Sequence, residues 1–91
     1  MNTIKHNYNG TFSASISKRA AEKLKAYEPK GCPFLDYTML DLLSDLINMY
    51  NWKVDRGQSM LVTDFIRLLQ NEGYEDAIVY GDDIIAIIEE D

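Results

Sequence analysis

The stretch Ala77-Ile78-Val79-Tyr80-Gly81-Asp82-Asp83-Ile84-Ile85-Ala86-Ile87-Ile88 decides the fold. Apolar runs flank Gly81-Asp82-Asp83 on both sides. Residues 77–80 and 83–88 read as two strands. Gly81-Asp82 between them suits a type II′ turn, whose first central residue needs the positive φ that glycine tolerates. The run 84–88 does not alternate, and a strand apolar on both sides is covered on both sides. This strand is therefore expected centrally in a sheet, with helices on one face and a second cover, such as a partner molecule, on the other.

Upstream, "SMLVTDFIRLLQNEG" (59–73) reads as a helix starting at Ser59 or at Thr63. Val62, Phe65, Ile66 and Leu69 form its stripe, and Gly73 is its expected left-handed stop. "KVDRGQS" (53–59) reads as a connector. The longest helix lies within residues 34–52, where Leu35, Met39, Leu42, Leu43, Leu46, Ile47 and Tyr50 recur at helical spacing. Thr38 with Asp41 fits a capping box, and Asp36 competes as the cap. Before it, Ser17 can cap a helix whose narrow stripe is Ala20, Ala21, Leu24 and Tyr27, with Pro29 and Gly31 ending it. At the N-terminus, Asn9-Gly10 signals a two-residue type I′ hairpin. That register sets Tyr8 against Thr11 and His6 against Ser13. Phe12, Ala14 and Ile16 then share a face with Lys5 and Asn7. Neither face is cleanly apolar, so the hairpin is expected at a sheet edge.

The expected fold is thus α+β: an N-terminal hairpin, three helices and a C-terminal hairpin, with the helices packed on an antiparallel sheet. The 91 residues make one domain. At this length about 60–70% of the unfolded surface can be buried, and the 46% of apolar residues suffice for such a core. No apolar run is long enough to span a bilayer, and the first residues have no signal-peptide pattern. A cytoplasmic location is the expectation.

Charge is unevenly distributed along the chain. Residues 1–30 hold six bases against two acids, a balance of +4. Residues 31–70 balance at -2. Residues 71–91 hold Glu72, Glu75, Asp76, Asp82, Asp83, Glu89, Glu90 and Asp91 and no base, a balance of -8. Such a molecule steers charged partners, and those eight acids are the candidate partner-binding residues.

Sites for chemistry are scarce. His6 is the sole histidine and reads as a surface residue of the edge hairpin. Cys32 is alone, so it forms no internal disulfide, and it reads as a small, partly buried side chain. No phosphate-binding glycine loop, paired metal-ligand histidines or nucleophile elbow is present. Asp82 and Asp83 lie at one end of the expected hairpin and Glu89 and Glu90 at the other, which does not make one calcium cage. No enzyme, metal or cofactor is expected. Tyr80-Gly81-Asp82-Asp83 does resemble the palm motif of viral RNA polymerases. That chemistry needs carboxylates from more than one strand around two metal ions, with basic contacts to phosphates. The last 21 residues offer no base at all.

Two further resemblances concern longer segments. Residues 11–50 look like a ribbon-helix-helix DNA-binding unit, which implies a dimer whose paired strands turn Thr11, Ser13 and Ser15 toward the bases. The Asn9-Gly10 hairpin departs from that pattern by pairing the strand within its own chain. Residues 38–89 look like the last two helices and wing of a winged helix, but Arg67 stands there against Asp64 and Glu72, and the wing is acidic. The leading expectation is a non-catalytic protein that binds a basic macromolecule through its acidic C-terminal region. It is similar in size and charge to phage or mobile-element inhibitors of the anti-CRISPR or anti-restriction kind. The alternative is a dimeric DNA-binding regulator or antitoxin.

Overall fold

The computed structural model describes residues 2–31 and 35–91; the reading of Cys32 falls outside them. The described residues form a small α+β domain. Its strands are β1 (Thr3–His6), β2 (Phe12–Ser15) and β3 (Ser59–Leu61), and its helices α1 (Lys18–Lys25), α2 (Met39–Tyr50), α3 (Val62–Asn71) and α4 (Glu75–Glu89). The sheet is antiparallel with order β2-β1-β3.

The main correction concerns residues 77–88, which are helix and not a hairpin. Ala77, Gly81, Ile84, Ile85 and Ile88 are all buried and recur at i, i+4, i+7, i+8 and i+11, which is one helical face. The β-branched run favours strand locally, but burial of this face against α3 outweighs it. Gly81 is no turn residue. It lies where α3 comes closest, and a Cβ there would stand 2.7 Å from Ile66 Cγ2 and 2.7 Å from Gln70 Nε2. Gln70 Nε2 also donates to the Ala77 carbonyl and to Asp82 Oδ1. The wing of the winged-helix resemblance disappears with the hairpin, and the sheet's central strand is β1.

Between α3 and α4 the chain reverses in three residues, Glu72, Gly73 and Tyr74. Gly73 takes φ 87. Its amide bonds the Gln70 carbonyl, and the Tyr74 amide bonds that of Leu69. These are the two bonds of a Schellman motif, so Gly73 ends α3 as expected. Helix α3 starts at Val62, between the two anticipated starts, because residues 59–61 extend to pair with β1 as β3.

The N-terminal hairpin is also offset. Its register sets His6 against Phe12 and Lys5 against Ser13. The Asn7 amide bonds the Thr11 carbonyl, which leaves Tyr8, Asn9 and Gly10 as a three-residue loop; Gly10 alone in it has positive φ, so the type I′ form is absent. A one-residue slip moves every side chain to the other face. Phe12 and Ala14 therefore share the inner face with Ile4 and His6. The outer face is polar, with Asn7 Nδ2 donating to Thr11 Oγ1 and Ser13 Oγ. His6 is consequently buried, with Nδ1 against the Val54 carbonyl and its ring edge-on to Phe12. The surface reading failed because it rested on the wrong register. The edge expectation holds for β2.

Helix α1 is capped by Ser17, whose Oγ accepts from the Ala20 amide. It ends at Lys25, so Tyr27 lies outside it and is exposed rather than part of its stripe. Helix α2 starts on the Thr38–Asp41 capping box. Leu35 precedes that helix and is 94% exposed, so it leaves the expected stripe. The core joins Ile4 and Leu24 to Met39, Leu43 and Leu46 of α2, Phe65, Ile66 and Leu69 of α3, and the α4 isoleucines at 84, 85, 87 and 88. No described helix is long and apolar enough to cross a membrane.

Candidate protein-binding surface

The helical form of residues 75–89 changes what the acids make together. Glu75-Asp76, Asp82-Asp83 and Glu89-Glu90 are three acidic pairs, each seven residues after the last. A seven-residue repeat drifts by only about 20° per step on a straight helix. All six carboxylates therefore lie on the outward half of α4 and its C-cap, and all six residues are exposed. At 1.5 Å rise per residue, successive pairs are about 10 Å apart. Helix α4 carries no base.

Beside the acids, Ile78 and Val79 are about half exposed (52% and 56%), while the four later isoleucines are core. Ile78 thus lies outside the core that Ile84, Ile85, Ile87 and Ile88 join. Two acids of the candidate set lie off the stripe. Glu72 caps the end of α3 and pairs with Lys53 at 3.3 Å. Asp91 accepts from the Ser17 hydroxyl and from Asn2 Nδ2 at 3.1 Å. The Ser17 hydroxyl and then the Asn2 amide hold the Asp91 carboxyl below the ordinary carboxylate range. Asn2 Oδ1 in turn accepts from the Ser17 amide. This clasp ties the start of β1 and the cap of α1 to the end of α4.

The six stripe acids are not equally available. Glu89 pairs with Arg67 of α3 at 3.0 Å, and Glu90 with Lys23 of α1 at 3.5 Å. The physical need is plain: carboxylates at a helix C-terminus oppose its dipole, and α4 has no base in its last turn. Neighbouring helices supply the cations. Glu75 and Asp76 stand in the first turn, where the dipole favours them, and among the described residues neither has an ion-pair partner. Asp82 accepts from Gln70, and among the described residues Asp83 has no ion-pair partner. The uncompensated charge is thus on the first two pairs. Asp83 faces a cavity of about 330 Å³ between α1 and α4, lined also by Lys23, Ala26, Tyr27, Ala86, Ile87 and Glu90.

Lys53, the partner of Glu72, is held by aromatic rings as well. Lys53 lies 4.0 Å from the Trp52 ring centroid, beside Tyr74. The Tyr74 side chain first, and the Glu72 carboxylate with it, hold its pKa above the ordinary lysine value against the opposing effect of burial. Among the described residues no group of three or more His, Cys, Asp or Glu side chains converges as a metal site. Asp82 and Asp83 of the polymerase-like tetrad belong to one helical turn, so no second strand brings acids to them.

The acids themselves were legible as candidates; their alignment was not. The signal for it was the seven-residue spacing of the acidic pairs, which a hairpin reading hides. No family model matches this chain, and no curated protein or solved structure matches it.

Proposed function

We propose that this protein is a non-catalytic binder of a basic macromolecular surface, and that the outward face of α4 is its contact. The observation that carries the reading is the row of carboxylate pairs on one exposed helix with no base among them. Six charges over this length amount to about one per 4 Å, close to the one phosphate per 3.4 Å of a single DNA strand. A channel of Lys and Arg built for nucleic acid attracts such a rigid array. Ile78 and Val79 add apolar contact, which charge alone does not give. The partner class is therefore a protein with a nucleic-acid-binding groove, and the role is that of an inhibitor, in the manner of anti-CRISPR or anti-restriction proteins.

The test begins with recovery of the partner on tagged parent protein. Recovery is then repeated with Glu75→Gln, Asp76→Asn, Asp82→Asn and Asp83→Asn combined, and separately with Lys18→Gln, Arg19→Gln and Lys25→Gln combined. Loss of the partner with the first set and retention with the second is expected. The reverse result would overturn the proposal and favour the DNA-binding regulator, which a mobility shift on duplex DNA at low salt would then reveal.

A further inference from the structure

We infer that the open edge of β2 takes an extended segment of a partner protein as an added strand, at a site separate from the α4 stripe. His6 uses its amide and carbonyl on the β3 side, bonding the Gln58 carbonyl at 3.0 Å and the Gly57 amide at 2.6 Å. Phe12, directly opposite His6, is therefore in a non-hydrogen-bonded pair, and its own N–H and C=O point away from β1. Alternation gives Ala14 the same outward groups. Among the described residues no backbone or side-chain bond satisfies them.

Natural edge strands are blunted by charge, proline, bulges or shortness. Strand β2, Phe-Ser-Ala-Ser, has no charge, no proline and full one-to-one register. The sheet's other edge is blunted: β3 is three residues long and runs straight into α3. Alongside the open edge is a groove of about 130 Å³ between β2 and α2, lined by Phe12, Ala14, Ser44, Ile47 and Asn48. An added strand would turn alternate side chains into it. Its lining is apolar at Phe12, Ala14 and Ile47 and polar at the α2 rim.

Charge selects the occupant. Asp41, Ser44, Asp45 and Asn48 recur on one stripe of α2, and that helix carries no base. A second copy paired edge to edge would bring two such acidic helices together in a chain of net charge -6. A foreign segment alternating apolar residues with Lys or Arg meets attraction instead.

The probe is a phage-displayed library of random decapeptides, panned against the folded full chain. Selected peptides should alternate apolar and basic residues. Ala14→Pro removes an outward N–H and leaves the β1 ladder intact, and it should weaken those peptides by about tenfold or more. The combined substitutions of α4 should leave their affinity unchanged. If Ala14→Pro fails to fold, amide exchange in the parent decides: Phe12 and Ala14 should exchange fast in the free chain and slowly with peptide bound. The proposal is overturned if no peptide is selected, or if bound peptides leave those amides unprotected. A concentration-dependent dimer in sedimentation that Ala14→Pro abolishes would overturn it in favour of a second copy.

Discussion

At the residue scale, Gly81 tests the helix most directly. Glycine in a helix interior is disfavoured by about 1 kcal/mol relative to alanine. Here the missing Cβ lets Ile66 and Gln70 of α3 close on α4. Gly81→Ala should therefore destabilise the fold despite its better helix propensity, by about 1–3 kcal/mol, the usual range for overpacking. Urea denaturation measures it. Ile66→Ala removes the methyl that a new Cβ would strike, so the double variant should lose less than the sum of the single losses. Strict additivity would mean that the two residues do not touch. Asp91 gives a second residue-scale expectation. Its folded pKa is lowered by Ser17 and Asn2, so its stabilisation is present above the ordinary carboxylate pKa of 3.8 and is lost as pH falls through the folded value. Asp91→Asn should be less stable than the parent at neutral pH, and the two urea midpoints should converge in strong acid. A constant gap at every pH would mean that the clasp does not act through the carboxylate charge.

At the scale of elements, helices whose sequence carried both an apolar period and an end signal were legible. Thr38–Asp41 starts α2, and Gly73 ends α3, because capping is local chemistry written within four residues. Local chemistry misled where two periods competed. Residues 77–88 satisfy a strand–turn–strand pattern by composition and a helix by the spacing of Ala77, Gly81, Ile84, Ile85 and Ile88. Only the neighbouring α3, with its complementary Ile66 and Gln70, decides between them. The hairpin failed similarly. Asn9-Gly10 marks the turn, but loop length sets the register, and burial of Ile4 and His6, with half-buried Phe12 on the same face, selects the three-residue loop. The acidic candidates could therefore be picked out from charge alone, while their arrangement as a stripe depended on a helix that the composition concealed. Gly73 and Gly81 separate the two uses of glycine. A Cβ at Gly73 meets nothing within 4 Å, but its φ of 87 is left-handed. Gly73→Ala should lose about 1–2 kcal/mol from backbone strain alone, and Gly73→Asn less, because Asn visits that region more readily. Equal thermal melts for parent and Gly73→Ala would remove the Schellman assignment.

At the scale of the molecule, the charge layout governs approach to a partner before any contact forms. The basic α1 and the acidic α4 pack together, and Lys23 bridges to Glu90 at 3.5 Å. That bridge and Arg67–Glu89 neutralise the C-terminal end of the stripe, so the field it projects comes mainly from Glu75, Asp76, Asp82 and Asp83. The proposed binding should accordingly show two separable signatures. Neutralising exposed acids should slow association and flatten its dependence on salt, since rim charges act by steering. Truncating Ile78 and Val79 to Ala should speed dissociation and leave the salt slope unchanged, because apolar contact is unscreened. Stopped-flow association and surface-plasmon dissociation at about 0.05 and 0.5 M salt, with the recovered partner, resolve the two; the Debye length falls from over 10 Å to under 5 Å across that range. Neutralising Glu89 and Glu90, which already have cations beside them, should change association less than neutralising Glu75 and Asp76. Equal effects from the two ends would mean that the internal ion pairs open on binding, and the partner's own Lys and Arg would then displace Arg67 and Lys23. An association rate indifferent to salt would remove steering altogether and leave α4 acidic for its own stability alone.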